Sequence, residues 1–263
     1  MPRVTYTEIS YEVTGHVGVL TLRRPEARNA LTFTTYAELE DAIRTTTERC
    51  IVITGEDPAF CSGDDVKQIM VNAGESGGTT ERLERTPRLT PAADALLHTD
   101  VPVIAAVNGA AVGWGMELAL MADIRVASEK AKLGELFVLR GLVSDAPGLG
   151  RLAQLVGREK AAELLFTGAV ISGAEAKEIG LVSRVVPHDE LLPTALELAE
   201  RIAANPPLAV QALKSGLRRA LDPDWAELGT WVSSTLGRLF QTEDHKEGVA
   251  SFLEKRPAQY VGR

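Results

Sequence analysis

The chain has 263 residues, enough for one domain or one domain with a small appendage. Its net charge is −8, from 28 basic and 36 acidic residues, which works against a nucleic-acid-binding face but leaves room for a local basic patch able to hold a phosphorylated small molecule. Cys50 and Cys61 suggest neither a zinc site nor a disulfide framework, and there is no signal-peptide core and no apolar run of about 18 residues, so the expectation is a cytoplasmic protein off the membrane.

Tyr6, Glu8, Ser10 and Glu12 interleave with Ile9, Tyr11 and Val13. Thr14-Gly15-His16 breaks this alternation before the apolar run Val17–Leu22, which predicts an antiparallel hairpin. Residues 23–30 form a polar loop containing Pro25, and Tyr36, Leu39 and Ile43 recur at helical spacing after it. A short buried strand is expected over 50–54, ending at Gly55. Residues 72–88 carry glycines and charges without apolar periodicity and read as a mobile surface loop. The pattern then repeats: a strand at Val103–Val107, an apolar helix over 113–121 and a strand over 124–127. Strand, turn and helix in alternation argue an α/β core with crossover connections. Beyond Pro187 the strands stop. Helices are expected at Leu191–Ala203, Pro207–Leu221, 225–240 and 243–253, with Pro206, Pro207 and Pro223 marking two starts. The division is a core over 1–190 and a helical C-terminal domain over 191–263.

Two glycine-bearing turns follow buried strands: Ala59-Phe-Cys-Ser-Gly-Asp-Asp-Val66 and Val107-Asn-Gly-Ala-Ala-Val-Gly-Trp-Gly-Met-Glu117. Such turns expose backbone N–H groups with no intrahelical partner, and a helix N-terminus favours negative charge. Two turns converging from neighbouring strands would aim two donors at one oxygen, the geometry of an oxyanion hole. Neither turn fits GxGxxG or the phosphate-binding GxxxxGK[ST].

The pair FCSGDDVK and VNGAAVGWGMELALMADIRVAS, in that order, resembles the enoyl-CoA hydratase/isomerase (crotonase) family. RRPEARNAL, the stretch from GRLAQLVGREK to SRVVP, and EGVASFLEKRPAQY extend the likeness over residues 6–260. The resemblance implies a crotonase-like (ClpP/crotonase) α/β spiral core of repeated ββα units. It implies an acyl-CoA substrate, a homotrimer or dimer of trimers, and no metal or redox cofactor, coenzyme A being part of the substrate. It puts the oxyanion donors on the backbone N–H groups of Ser62 and Trp114, and coenzyme A beside Arg28, Ala30, Asp64, Phe252 and Lys255.

Hydratases of the family work with two glutamates around one water. The first position falls on Glu117; the second falls on Phe137, which cannot accept a proton. Glu135 is close in sequence but is not expected to share the direction of residue 137. Relatives that move double bonds, or displace halide from an aromatic thioester, have an aspartate where this chain has Asp145. Asp145 also suits a helix cap, Glu117 a helix dipole, and Trp114 either the acyl pocket with Phe137 or a core gap. Catalysis by Glu117 and Asp145, facing each other across the acyl pocket, is the expectation. Open reactions are hydration, double-bond isomerisation, dehalogenation and C–C cleavage; a non-catalytic acyl-CoA-binding relative is the alternative outside enzymes.

Overall fold

The computed structural model describes residues 5–71, 89–222 and 224–260, with the side chains of Met70 and Val71 outside that description. The loop expected at 72–88 and the helix-starting Pro223 therefore lie outside the described residues. The first hairpin joins β1 (Ile9–Thr14) to β2 (Val17–Leu22). Next come α1 (Phe33–Thr45), β3 (Cys50–Gly55), β4 (Ala59–Cys61) and α2 (Pro91–His98). The chain continues through β5 (Val103–Val107), β6 (Ala110–Val112), α3 (Trp114–Met121), β7 (Ile124–Ser128) and β8 (Lys132–Gly134). After α4 (Ala146–Val156), α5 (Arg158–Thr167), β9 (Val170–Ser172), α6 (Gly173–Glu178) and β10 (Arg184–Val186), only helices follow. These are α7 (Leu191–Ala203), α8 (Pro207–Leu221), α9 (Trp225–Leu239) and α10 (Glu243–Glu254).

The strands sort into a six-stranded sheet ordered β1-β2-β3-β5-β7-β10 and a four-stranded sheet ordered β4-β6-β8-β9. Each of β3, β5 and β7 enters the large sheet, and the strand that follows it enters the small one. That is the spiral of repeated units the resemblance implies. Every residue of β3 and β5 is buried, as parallel strands covered on both faces require. One face of the large sheet packs Ile51, Ile53 and Val107 towards α3, whose eight residues are all buried. The other face packs Cys50, Val52, Ile104 and Val126 against Leu191, Ala195, Ala199 and Ala203 of α7. A helix buried all round needs no polar stripe, which is why the sequence of α3 is almost wholly apolar. No described helix is long and apolar enough to cross a membrane.

Candidate active site

Three segments converge beside the N-terminus of α3. The first is the loop before α1. Arg24 clamps it from within, donating to the Ala30 carbonyl at 2.5 Å and to Asp65 at 3.2 Å, while pairing with Glu8. The second, the turn after β4, docks on that loop. Leu31 N–H donates to Gly63 O at 2.8 Å, Asp65 N–H to Leu31 O at 2.9 Å, and the Ser62 hydroxyl to Ala27 O at 3.2 Å. The third is the turn from β6 into α3. A Cβ on Gly63 would lie 2.9 Å from Val112 O and 3.3 Å from the Trp114 nitrogen, and Gly63 has φ +88°, so this contact needs glycine.

The two turns thus meet as the sequence suggests. The amide of Trp114, first residue of α3, has no intrahelical acceptor and donates to none of the described carbonyls. The Ser62 amide is already engaged, donating to Arg28 O at 3.1 Å.

A cavity of about 490 Å³ opens here, lined by Ser62, Gly63, Gly113 and Trp114 from the turns and by Leu136 and Phe137 as an apolar wall. Arg28, Ala30, Asp64 and Phe252 line it as well, so four of the residues assigned to coenzyme A are together. Phe252 lines the cavity of its own chain. Lys255 is not among the lining residues; it caps α10 in the left-handed conformation. Lys67 and Arg140, which sequence reasoning did not single out, join Arg28 as lining cations. The Arg140 guanidinium lies 4.4 Å from the Phe252 ring centre. Lys67 closes the motif FCSGDDVK and was within reach of the motif reading; Arg140 lies in no motif.

The carboxyls gather on the far side of Trp114. Asp145 is the N-cap of α4: Oδ1 accepts the Ala146 N–H at 2.8 Å, while Oδ2 accepts the Trp114 indole N–H at 3.2 Å. Cap and site contact coexist on one side chain. Glu117 is fully buried, and its oxygens accept the amides of Asp145 at 2.8 Å and Gly148 at 2.5 Å. It therefore sits at the N-terminal end of α4, where the aligned peptide dipoles favour negative charge. Burial outweighs this and, with the nearby Glu135 and Asp145 carboxyls, holds Glu117 well above the usual carboxylate range. Glu117 and Asp145 are neighbours, not opposed across the cavity, and neither is among its lining residues. The reason is the cap geometry, which turns the start of α4 back onto α3.

Phe137 and Glu135 do point apart, because the chain leaves β8 at Gly134 and turns into a short 3-10 helix at Phe137–Arg140. Phe137 faces the cavity, whereas Glu135 is 1% exposed and joins the carboxyl group around Glu117, a placement the sequence reading missed.

The enoyl-CoA hydratase/isomerase family model matches residues 12–263. A mitochondrial enoyl-CoA hydratase of Pongo abelii is 36% identical, over 93% of this chain and 83% of its own. A carnitinyl-CoA hydratase structure from Mycobacterium avium is 33% identical, with a TM-score of 0.83 over 98% of this chain and 100% of that one. A monofunctional enoyl-CoA isomerase structure from M. smegmatis is 30% identical, with a TM-score of 0.67 over 84% and 97% of the two chains. Converging turns, a cation-lined cavity and full-length likeness agree: this chain belongs to the enoyl-CoA hydratase/isomerase (crotonase) family of acyl-CoA enzymes.

Proposed function

We propose that the chain shifts a double bond along an enoyl-CoA thioester and does not primarily add water to it. The observation that carries this reading is Phe137 in the cavity wall beside Leu136 and Trp114. A hydrating water wants two polar groups to hold and split it; an apolar wall at that position removes one of them. Proton transfer along the acyl chain needs instead a base that lifts a proton and returns it one or two carbons on. Glu117 and Asp145, linked by the 2.8 Å amide contact, are the pair we assign to it.

The thioester carbonyl takes the Trp114 N–H, with Ser62 as second donor, so that charge arriving on the oxygen meets donors already oriented. The coenzyme's phosphates lie with Arg28, Lys67 and Arg140, and its adenine with Phe252. The assembled form is a homotrimer or a pair of trimers. The test is a panel of 2-enoyl-, 3-enoyl- and aryl-CoA thioesters followed by absorbance and product mass. A spectral change at constant mass supports isomerisation; a product heavier by one water from the 2-enoyl substrate, as the main reaction, overturns it. Asp145→Asn and Glu117→Gln are each expected to lower the isomerase rate by about 10²–10⁴. An Asp145→Asn enzyme of unchanged activity would leave the aspartate as a cap alone.

A further inference from the structure

The least explained group near the site is Glu135. It is buried, its Oε2 accepts the Ser144 hydroxyl at 3.2 Å, and its Oε1 has no donor in the structure. One point locates it against Glu117: a Cβ built on Gly148 would lie 2.6 Å from Glu117 Oε1 and 3.1 Å from Glu135 Oε1. Two buried carboxyl oxygens thus crowd the same small space. The groups facing the pair are Asp145 from the cap of α4, the Ser144 hydroxyl, and the amides of Asp145 and Gly148. Among the described residues no lysine, arginine or histidine makes an ion pair with either carboxyl. Like charges this close without a counter-charge cannot both be ionised near neutrality, so the pair keeps one proton between them.

We propose that Glu135 is a positioning residue that shares one proton with Glu117 and holds that proton when Glu117 acts as the base. Donors and burial pull the proton in opposite directions. Glu117 receives two backbone amides at the positive end of α4, whereas Glu135 receives one hydroxyl. These donors favour the proton on Glu135, whereas burial favours it on Glu117, so it is shared; when it is on Glu135, that O–H donates to Glu117. Under the isomerase reading, on which the catalytic part of this proposal rests, Glu117 takes a C–H proton and the C–H electron pair moves into the enolate held at the thioester oxygen. Glu117 then returns that proton to another carbon, and the proton on Glu135 is neither consumed nor released.

The proton itself is tested without any substrate, by carbon NMR of the intact protein labelled at its glutamate carboxyls, with Glu117→Gln and Glu135→Gln for assignment. Wild type is expected to show two coupled carboxyl signals, with a proton leaving as pH passes about 8, where burial has pushed Glu135 up. Glu135→Gln removes that titration and lowers the Glu117 titration, since the neighbouring charge is gone. Ser144→Ala, a milder change, deletes the one donor that favours the Glu135 anion and moves the titration up by about one pH unit. Two fully ionised carboxylates at neutral pH in wild type, a titration that survives Glu135→Gln, or one that Ser144→Ala leaves in place overturns the shared proton. With an active enzyme, Glu135→Gln should reshape the pH profile of kcat while leaving KM within about twofold. A shared proton with an unchanged profile refutes the positioning role and leaves the isomerase reading standing. Hydration in the thioester panel refutes that reading and leaves the shared proton standing.

Discussion

Ser62 and Gly63 are adjacent and are expected to answer substitution in opposite ways. The Ser62 hydroxyl makes one bond, to the Ala27 carbonyl, and the proposed donor is its amide. Ser62→Ala is therefore expected to cost about 1 kcal/mol of stability and to leave kcat nearly unchanged. Gly63→Val places a Cβ 2.9 Å from Val112 O at a φ of +88° and pushes the two turns apart. Loss of one oxyanion donor predicts a fall in kcat of about 10²–10³, with thermal unfolding as the control for global damage. Equal losses in the two variants would remove Ser62 and Trp114 from the oxyanion role. Residue by residue, the sequence carried the two turns, which meet, and Phe137, which lines the cavity; it set Glu117 and Asp145 across the acyl pocket, whereas they are neighbours and line no part of it. Glu135 stayed hidden because a glutamate in the run KLGELF has no local mark of burial, and its partner Glu117 is reached only through the fold.

Helix α10 docks against the turn that bears Phe137 and Arg140, and so connects the helical tail to the cavity wall. His245 is the buried pin: its Nδ1 lies 2.8 Å from the Arg140 carbonyl, and its ring meets Phe240 edge-on. Desolvation holds its pKa below the ordinary histidine value of 6.5, so the folded state prefers the neutral ring. The unfolded chain then binds the proton first, and stability falls as pH drops from about 6.5. Hydrogen exchange is expected to show α10 loosening on acidification, and His245→Gln to flatten that pH dependence; an α10 that opens equally at every pH would contradict the pin. Elements with a long period were legible. The hairpin and the strand Val103–Val107 stand as expected, and Leu191–Ala203 and Pro207–Leu221 match to the residue. The four-stranded sheet was not. Its strands β4, β6, β8 and β9 have three residues each, too short for alternation, and exist only through pairing with distant partners.

Assembly belongs to the molecule as a whole, and the structure moves the argument for it from one helix to another. Along residues 225–240, Trp225, Leu228, Trp231, Leu236, Leu239 and Phe240 are more apolar side chains than a lone helix can hide. Trp225 is instead buried against its own chain, with the Arg151 guanidinium 5.6 Å from its ring, and Leu228 and Leu236 pack on the core. Of the six, Trp231 is the one left broadly open, at 52%. Helix α8 carries the uncovered face: Leu213, Leu217 and Leu221, four residues apart, are 69%, 60% and 64% exposed, and Leu208 is 79% exposed. Neighbours at i and i+4 share a helix face, so these form a continuous stripe. An exposed apolar stripe of that kind points to a protein contact. The proposed trimer, or pair of trimers, therefore uses α8, and light scattering is expected to give a multiple of three subunits that persists on dilution. Leu213→Glu with Leu217→Glu puts two charges on the stripe without touching the cavity. That variant is expected to fall to monomers with its circular dichroism unchanged. A wild-type protein that is already monomeric at micromolar concentration would leave the α8 stripe to some other partner and remove the trimer from this account.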